Sequence, residues 1–555
     1  MKHHAVQKLA AALAVCVFGS VYAQEALKST EEEYYDFLSL NGDASRPALN
    51  YRTLSDSVWR LTDDAEDTHV WRANNLGTTY TLWAAPEQGG NWFLRGIDEH
   101  ITMKIYGPEW FNSFNTAAPY GQNDGALWQG RGYNTSLTAG IRFEGYGFEA
   151  TIKPQLSYSQ NMGFDIVKPA YSGADYADKA ENYGYYGLHS IDAPQRFGNK
   201  PFFTFDWGDT EIRWSLYTFT IGFGTQPIWL GPAQINPIIH SNNAASYPKL
   251  DIGLRRQPIV IPKLNWYLGD IELRVWWGYL SESDYFDNTS DNDHNLITGF
   301  TIAYGVPFLP GLTIGLNRIM LSKWNDMNTG AIFSLLWPAM DTGAGSDQND
   351  QRASIVIDYH IPKAGLNIYL EWGRNDFSPG LDYVIRYPFH TQGYTFGIKK
   401  SLDITDVLKG EILLEITNLE SSRDYENMIS WDTTFYAHHI ITQGHTNRGQ
   451  WLGAGIGTGG NSQYLGFKLY YPKGNAQIFI QRMNPDMDYS WFIDIVETNI
   501  RANFNIGIGA NHYFIPALRT SAQIVYSSEF NPTYNRQNLP RRHNFALALQ
   551  VKYCF

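Results

Sequence analysis

The chain has 555 residues, of which 17% are charged and 15% are aromatic, and its formal net charge is −13. Soluble domains are about a quarter charged, and the acidity argues against a nucleic-acid partner. No stretch reaches the roughly 20 consecutive apolar residues that a membrane helix needs. Because only helices and closed barrels satisfy every backbone group in lipid, the composition predicts an all-β fold, a large antiparallel transmembrane β-barrel.

Residues 1–23 have the pattern of a secretory signal peptide. Lysines lie near its start, an apolar run too short to span a bilayer follows, and Val21–Ala23 ends in a small residue typical of a cleavage site. We therefore expect export through a cleaved signal. Cleavage would remove Cys16 and leave Cys554 without an intramolecular disulfide partner.

Residues 24–75 are predicted to be a small helix-containing periplasmic segment. The run from Thr30 to Glu33 fits a capping box, so a helix should extend over Tyr34–Leu40 and stop at Asn41-Gly42. A second short helix is predicted over Thr53–Leu61.

From residue 76 to residue 555, apolar and polar side chains alternate with the two-residue period of β-strands. Clear examples are the segments 137–144, 271–277, 366–372, 500–508 and 545–555. A soluble sandwich can show the same period, but tryptophans at strand ends are typical of bilayer interfaces. At roughly 25–30 residues per strand with its connection, we expect an even number of about 16–20 strands, with 18 favoured.

The last of these segments ends at Tyr553 and Phe555, separated by one residue. Such an ending looks like the terminal signature of Gram-negative outer-membrane barrels, in which the closing strand also directs insertion. We therefore expect a protein integral to the bacterial outer membrane. Its expected partners are outer-membrane lipids and the barrel-assembly machinery.

Motifs of enzymes and metal sites are weak in this sequence. The residues 455–460 match G-x-G-x-x-G by letters, but a strand pattern follows them rather than a helix that could cap phosphates. The pair His438-His439 has no carboxylate or cysteine at ligand spacing beside it. We predict that the protein is not an enzyme and has no catalytic residue, cofactor or metal.

Three clusters interrupt the strand pattern. They are a Trp-Leu-Gly-Pro turn with a Ser-Asn-Asn-Ala stretch after it, a Glu-Trp-Gly-Arg-Asn-Asp segment, and a late segment rich in histidine and glycine (228–248, 371–376 and 438–462). Together with residues 123–132, these clusters resemble the capsule-assembly Wzi family of outer-membrane barrels. The likeness extends over residues 30–555.

The resemblance implies a non-enzymatic barrel that binds, anchors or organises surface polysaccharide, either capsular or exopolysaccharide. Aromatic rings offer flat faces to pyranoses, and amides and carboxylates hydrogen-bond to hydroxyls. We therefore predict a polysaccharide site toward the outer mouth, formed by Trp229, Gly231, Pro232, Ser241, Asn242, Asn243, Glu371, Trp372, Asp376 and Arg448. An acidic barrel suits a neutral or weakly charged glycan, unless Arg374 or Arg448 offsets the repulsion.

Two alternatives stay open. In the first, the Trp-Leu-Gly-Pro and Ser-Asn-Asn segments do not bind glycan but form a fixed turn and an inward-folding loop that plugs the lumen, an interpretation that the sequence favours as much as direct binding. The protein can also be a porin or an oligosaccharide-specific channel, which differs from an anchor in having an open lumen. A third class, an outer-membrane hydrolase, needs a nucleophile and a base on one rim, and the sequence nominates neither.

Overall fold

The computed structural model describes residues 23–84, 100–170, 178–187, 191–261, 263–333, 349–375, 381–422, 434–493, 495–534 and 539–555. The predicted signal peptide, except for Ala23, lies outside the described residues, and so does Asp376.

Within these ranges, eighteen antiparallel strands close into one barrel, which confirms the predicted fold class and the favoured strand count. In chain order they are β1 Ile101–Asn115, β2 Gly132–Gly145, β3 Phe148–Ile152 with Gln155–Ser159, β4 Phe202–Asp206 with Glu211–Leu216, β5 Phe219–Gly224, β6 Lys249–Ile261, β7 Trp266–Ser281, β8 His294–Gly305, β9 Leu312–Lys323, β10 Asp350–Ile361, β11 Leu366–Asn375, β12 Gln392–Asp403, β13 Lys409–Asn418, β14 Asn461–Tyr471, β15 Gly474–Asn484, β16 Ala502–Ile515, β17 Leu518–Phe530 and β18 Arg541–Tyr553.

Pairing between β1 and β18 closes the ring. The two pieces of β3 both pair with β2, and each also pairs with one piece of β4, so each broken strand occupies one place in the wall. The short strand Thr79–Trp83 pairs with the beginning of β1.

The two faces of each strand differ as the alternation predicts. On β18, Phe545, Leu547 and Leu549 are 43–48% exposed on the outer surface. Their neighbours Asn544 and Ala546 are buried on the inner side. Because successive side chains point to opposite faces, this register gives lipid an apolar surface and gives the lumen a polar one.

Connections at the two ends of the barrel differ in length. At one end the strands are joined by short segments, such as 146–147, 217–218, 472–473 and 516–517, whereas at the other end the segments 160–201, 225–248 and 419–460 are long. Outer-membrane barrels have short periplasmic turns and long external loops. We therefore take the end with the long connections as the outer mouth.

Helix α1 extends over Thr30–Leu40, and Asn41 caps its C-terminus, as predicted. The N-cap is Ser29 rather than Thr30, and the Ser29 side chain accepts a hydrogen bond from the Glu32 amide at 3.1 Å. The capping box was thus placed one residue late, because Ser29 and Thr30 are both N-cap residues and each has a glutamate three residues after it.

The helix predicted over Thr53–Leu61 is wrong. Leu54–Asp56 forms a single 3₁₀ turn and Val58–Leu61 forms a strand, which pairs with Ala23–Gln24 and Ala44–Ser45. Pairing partners that are distant in sequence override a short stretch of helical period. A second helix, α2, follows at Asp63–Thr68.

The N-terminal segment lies against the inner wall at the end with the short connections. Glu31 of α1 contacts Lys552 at 2.8 Å and Arg519 at 3.3 Å, and both cations belong to lumenal faces of strands. Next to it, the ring of Phe37 in α1 stacks on Tyr470 of β14 with centroids 4.2 Å apart. Ion pairs and an aromatic cluster therefore both attach this segment to the barrel.

The remaining short elements lie in connections. They are the strands Tyr51–Arg52, Trp229–Leu230, Thr446–Asn447 and Gln450–Trp451, the helices Asp178–Tyr183, Thr329–Phe333, Leu381–Arg386 and Met487–Phe492, and the 3₁₀ turns Trp324–Asp326, Pro362–Ala364 and Glu497–Asn499. Among the described helices, none has the length and apolar character to cross a membrane.

Candidate functional site

The connection between β5 and β6, residues 225–248, folds into the barrel, and we call it the inner loop. Its strand Trp229–Leu230 pairs with Tyr51–Arg52 of the N-terminal segment. Trp229 is fully buried, and its indole N–H donates to the Ala233 carbonyl at 2.9 Å. The ring of Trp229 therefore offers no free face to a ligand in this structure.

Three lumenal carboxylates hold these inward segments by accepting backbone N–H bonds. Glu415 on β13 accepts from Gln234 at 2.6 Å and from Asn236 at 2.8 Å. Glu371 on β11 accepts from Ile238 at 2.9 Å. Charge-assisted bonds of this kind are stronger than neutral ones, and they satisfy amides that have no strand partner.

The third carboxylate holds the N-terminal segment. Glu272 on β7 accepts from the amides of Leu49, Asn50 and Tyr51 at 2.8, 3.0 and 2.7 Å. Because Tyr51 belongs to the strand that pairs with the inner loop, the two inward segments and the wall form one connected unit.

Gly231 lies at a turn that requires glycine. Its φ is +82°, and a Cβ there would lie 3.4 Å from Oε2 of Glu371. A larger residue would be strained by this positive φ, although its Cβ would lie only in ordinary van der Waals contact with the carboxylate that receives the Ile238 amide.

The Ser-Asn-Asn stretch fastens the inner loop to the neighbouring connections. The Ser241 hydroxyl donates to the Gly453 carbonyl at 2.6 Å, and the side-chain Nδ2 of Asn243 donates to the Trp451 carbonyl at 3.1 Å. The Asn242 carbonyl accepts from the Gly125 amide at 2.9 Å. These three residues therefore join the connections before β2, before β6 and before β14.

The structure brings only part of the predicted site together. The buried members are Trp229, Gly231, Ser241, Asn243 and Glu371, while Pro232 and Asn242 are partly buried beside them. Trp372 lies on the face of β11 opposite Glu371, because neighbours in a strand alternate, and so it does not point into the barrel. Arg448 is exposed at the outer mouth, and Asp376 lies outside the described residues. Direct contact of a glycan with the buried members stays a prediction, whereas their contacts within the protein are seen.

A cavity of about 680 Å³ opens among the long connections at the outer mouth, and we call it the mouth cavity. One side is an aromatic wall in which Phe197 contacts Trp128 and Tyr285, with ring centroids 5.1 and 5.6 Å apart. Tyr183 extends this wall at 6.2 Å from Tyr285. Such rings supply the flat apolar faces on which sugars stack.

Charged side chains complete the lining of the mouth cavity. Arg448 and Lys200 contribute cations, and Lys179 forms an ion pair with Asp284 at 2.7 Å. Burial, together with the nearby Asp192 and Asp287, raises the pKa of Glu282 to about 10, so this carboxyl is neutral at pH 7.

Apart from Arg448, sequence reasoning missed the residues that line the mouth cavity. Trp128 lies in the stretch 123–132, which was noted only for its family likeness. Phe197 and Tyr285 lie in long connections for which the sequence predicted no site residue. The signal that could have identified them is the density of aromatic residues in loops, since exposed loops seldom keep large rings without a partner.

Two weaker motifs have structural roles. The Nδ1 atom of His438 accepts from the amides of Ile440 and Ile441 at 3.3 and 3.1 Å, which fixes a turn. Within the described ranges, no group of three or more potential ligands could hold a metal ion. The glycine-rich residues 455–460 lead directly into β14, as their strand context predicts.

Comparison with known proteins places the chain in a family. The family model "Capsule assembly protein Wzi" matches residues 112–497, whereas no curated protein matches the sequence. The structure of Wzi from Escherichia coli, described as an outer membrane protein involved in group 1 capsule assembly and a carbohydrate binding β-barrel, is similar with a TM-score of 0.54. The identity is 13%, over 81% of this chain and 85% of that one.

Other barrels are less similar. OccAB2 of Acinetobacter baumannii has a TM-score of 0.40 at 9% identity, over 84% of this chain and 99% of that one. A double variant of OccD1 (OprD) has a TM-score of 0.38 at 9% identity, over 82% of this chain and 96% of that one. Since the family model covers well over half of the chain, the protein belongs to the capsule assembly protein Wzi family.

Proposed function

We propose that the protein is an outer-membrane barrel that binds surface polysaccharide at its outer mouth and thereby anchors or organises it, without catalysing a reaction. Its family and the carbohydrate-binding barrel of similar fold support this function. The observation that carries the proposal is the mouth cavity of about 680 Å³, in which aromatic rings and the cations Arg448 and Lys200 lie above an interior filled by protein.

The filled interior favours an anchor over the porin alternative. A cluster of buried apolar side chains joins the inner loop, the connection before β14 and the barrel wall, with Leu230, Ile238, Trp276, Tyr436 and Leu452 among its members. A diffusion channel needs a continuous aqueous path along its axis, which an apolar core obstructs.

The proposal also includes how the protein reaches its site of action. A signal peptide cleaved after Ala23 would direct export, and the barrel-assembly machinery would insert the strands so that their apolar outer faces contact outer-membrane lipids. The belt of exposed apolar residues on strands such as β18 supports a lipid contact.

The test is a double substitution in the aromatic wall. Trp128→Ala with Tyr285→Ala should release polysaccharide from cells into the medium and weaken binding of the purified polymer to detergent-solubilised protein. Loss of two stacking surfaces should reduce affinity by about tenfold or more. Trp266→Ala is the matched control, because this tryptophan is 61% exposed at the beginning of β7, at the opposite end of the barrel.

Barrel folding is followed in each variant by heat-modifiable gel mobility. If the folded double variant keeps polymer on the cell at the level of the wild type, the mouth cavity is not the polysaccharide site.

A further inference from the structure

Arg448 lies in the two-residue loop of a short β-hairpin. Thr446–Asn447 pairs with Gln450–Trp451, and Arg448 and Gly449 between them have φ values of +50° and +77°. Positive φ at both central residues is the geometry of a type I′ turn, which favours asparagine, aspartate or glycine. Turn formation therefore does not explain an arginine at this position.

The hairpin holds Arg448 in a fixed place. Its amide donates to the Ser281 carbonyl at 2.8 Å, and the Ser281 amide in turn donates to the Asn447 side chain at 3.0 Å. Gly449 packs so tightly that a Cβ there would lie 2.9 Å from Pro194 and 3.1 Å from Phe197. The guanidinium group is thus presented from a rigid base beside the aromatic wall.

The side chains that line the mouth cavity include the cations Arg448, Lys200 and Lys179, although the chain as a whole carries −13. Among the described residues, neither Arg448 nor Lys200 forms an ion pair, while Lys179 and Asp284 neutralise each other at 2.7 Å. Glu282 is protonated at neutral pH because burial, Asp192 and Asp287 raise its pKa to about 10. Arg448 and Lys200 therefore have no carboxylate of the described residues at ion-pair distance.

We infer that the mouth cavity selects an acidic polysaccharide, and that Arg448 binds a carboxylate of its sugar residues while the neighbouring rings stack on the pyranose face. The planar guanidinium donates two parallel N–H bonds to a carboxylate, and Lys200 supplies a second positive charge nearby. This inference rests on the proposed function and specifies the chemical class of its ligand. It also modifies the expectation of a neutral glycan, since Arg448 provides the local offset to the acidic barrel.

The experiment compares two polymers that differ only in charge. One is the polysaccharide purified from the surface of the same cells, and the other is that polymer after chemical reduction of its carboxyl groups to alcohols. Binding of each to the detergent-solubilised full chain is measured by calorimetry. We expect reduction to weaken binding by about tenfold or more, the scale of a lost charge-assisted hydrogen bond.

Arg448→Gly is the informative variant, because glycine suits the type I′ turn and the hairpin should stay intact. It should weaken binding of the native polymer by a similar factor and leave binding of the reduced polymer unchanged. Arg448→Lys should restore part of the affinity, since it keeps the charge without the bidentate geometry. Lys263→Ala, at an exposed position in the short connection between β6 and β7, is the control for loss of one positive charge.

The binding results separate failure of the proposed function from failure of the inference of an acidic ligand. If the wild type binds neither polymer, the proposed function itself fails. If it binds both polymers equally, or if Arg448→Gly binds the native polymer as the wild type does, the polysaccharide function stands and the inference of an acidic ligand is overturned.

Discussion

Individual carboxylates on the lumenal face decide where the inward segments lie. Glu272, Glu371 and Glu415 each stand on a different strand and each accepts backbone amides from a segment that enters the barrel. A backbone that leaves regular structure inside a protein must find acceptors for its N–H groups. Inward-facing glutamates supply those acceptors without requiring a further strand.

Removing one of these acceptors should loosen one segment and leave the barrel intact. Glu415→Ala removes the acceptor of the backbone amides of Asn236 and Gln234. A buried amide without an acceptor costs about 1–3 kcal/mol of stability. Hydrogen–deuterium exchange should therefore rise in residues 234–236, whose amides donate to Glu415. Glu272→Ala is the matched control and should raise exchange in residues 49–51 instead. If the two variants raise exchange in the same residues, Glu415 does not hold the inner loop separately from the N-terminal segment.

The register of the wall gives a second prediction at the scale of single residues. Leu549 is 47% exposed on the outer face of β18, whereas the Gln550 side chain points inward and donates to Glu109 at 2.6 Å. A charge at mid-bilayer costs roughly 2–4 kcal/mol, so Leu549→Arg should lower the yield of folded barrel. Gln550→Arg should fold normally, because it faces the lumen and keeps Glu109 as a partner. Similar yields from the two variants would contradict this register.

At the scale of elements, Glu31 is one of the acidic residues of helix α1 that form ion pairs with the wall. Its carboxylate contacts Arg519 and Lys552 and accepts from the Tyr513 hydroxyl at 3.0 Å. Glu31→Gln leaves two buried cations without this anion, which should destabilise the docked helix by about 3 kcal/mol. Exchange in residues 30–40 should rise accordingly. Glu66→Gln, an exposed change on α2, should have no effect.

The same contact predicts a dependence on pH. Burial by itself would raise the pKa of Glu31, but Arg519 and Lys552 overcome it and hold the pKa at about 2, below the ordinary 4.5. Since the folded-state pKa is the lower one, this stabilisation is complete above about pH 4.5 and is lost as the pH falls toward 2. Exchange in α1, corrected for intrinsic rates, should increase over that interval in the wild type. The increase should be smaller in Glu31→Gln, and an identical profile would contradict the pairing.

At the scale of the whole molecule, barrel closure and a filled interior have separate consequences. The closed ring of eighteen strands should resist detergent until the sample is boiled, because no strand edge is free. The interior should also block ion flow, because the inner loop and N-terminal segment occupy the lumen.

Conductance in planar bilayers measures the second property. Purified wild-type protein should show no steady porin-like conductance, and cross-linking the inner loop to the wall should leave the trace unchanged. A large, steady conductance from the wild type would favour the channel alternative.

The sequence by itself predicted the barrel and the face that each strand side chain occupies, because a two-residue period is a local property that each strand carries alone. Chain length limited the strand count to about 16–20, with 18 favoured. The alternation over residues 545–555 puts Leu549 and Gln550 on opposite faces, and in a barrel the apolar Leu549 faces lipid. The sequence did not predict the secondary structure of residues 53–61, because the strand in this stretch forms by pairing with segments distant in sequence.

Only the tertiary structure decided what fills the barrel and what lines its mouth. Glu415 contacts a loop about 180 residues away in the chain, and the mouth cavity is assembled from five separate connections. A periodic pattern in the sequence does not predict such long-range contacts, because closure of the barrel decides which connections lie next to each other. The sequence identified Arg448, and the structure supplied the aromatic wall beside it, because a binding surface made of loops exists only after the strands have set their positions.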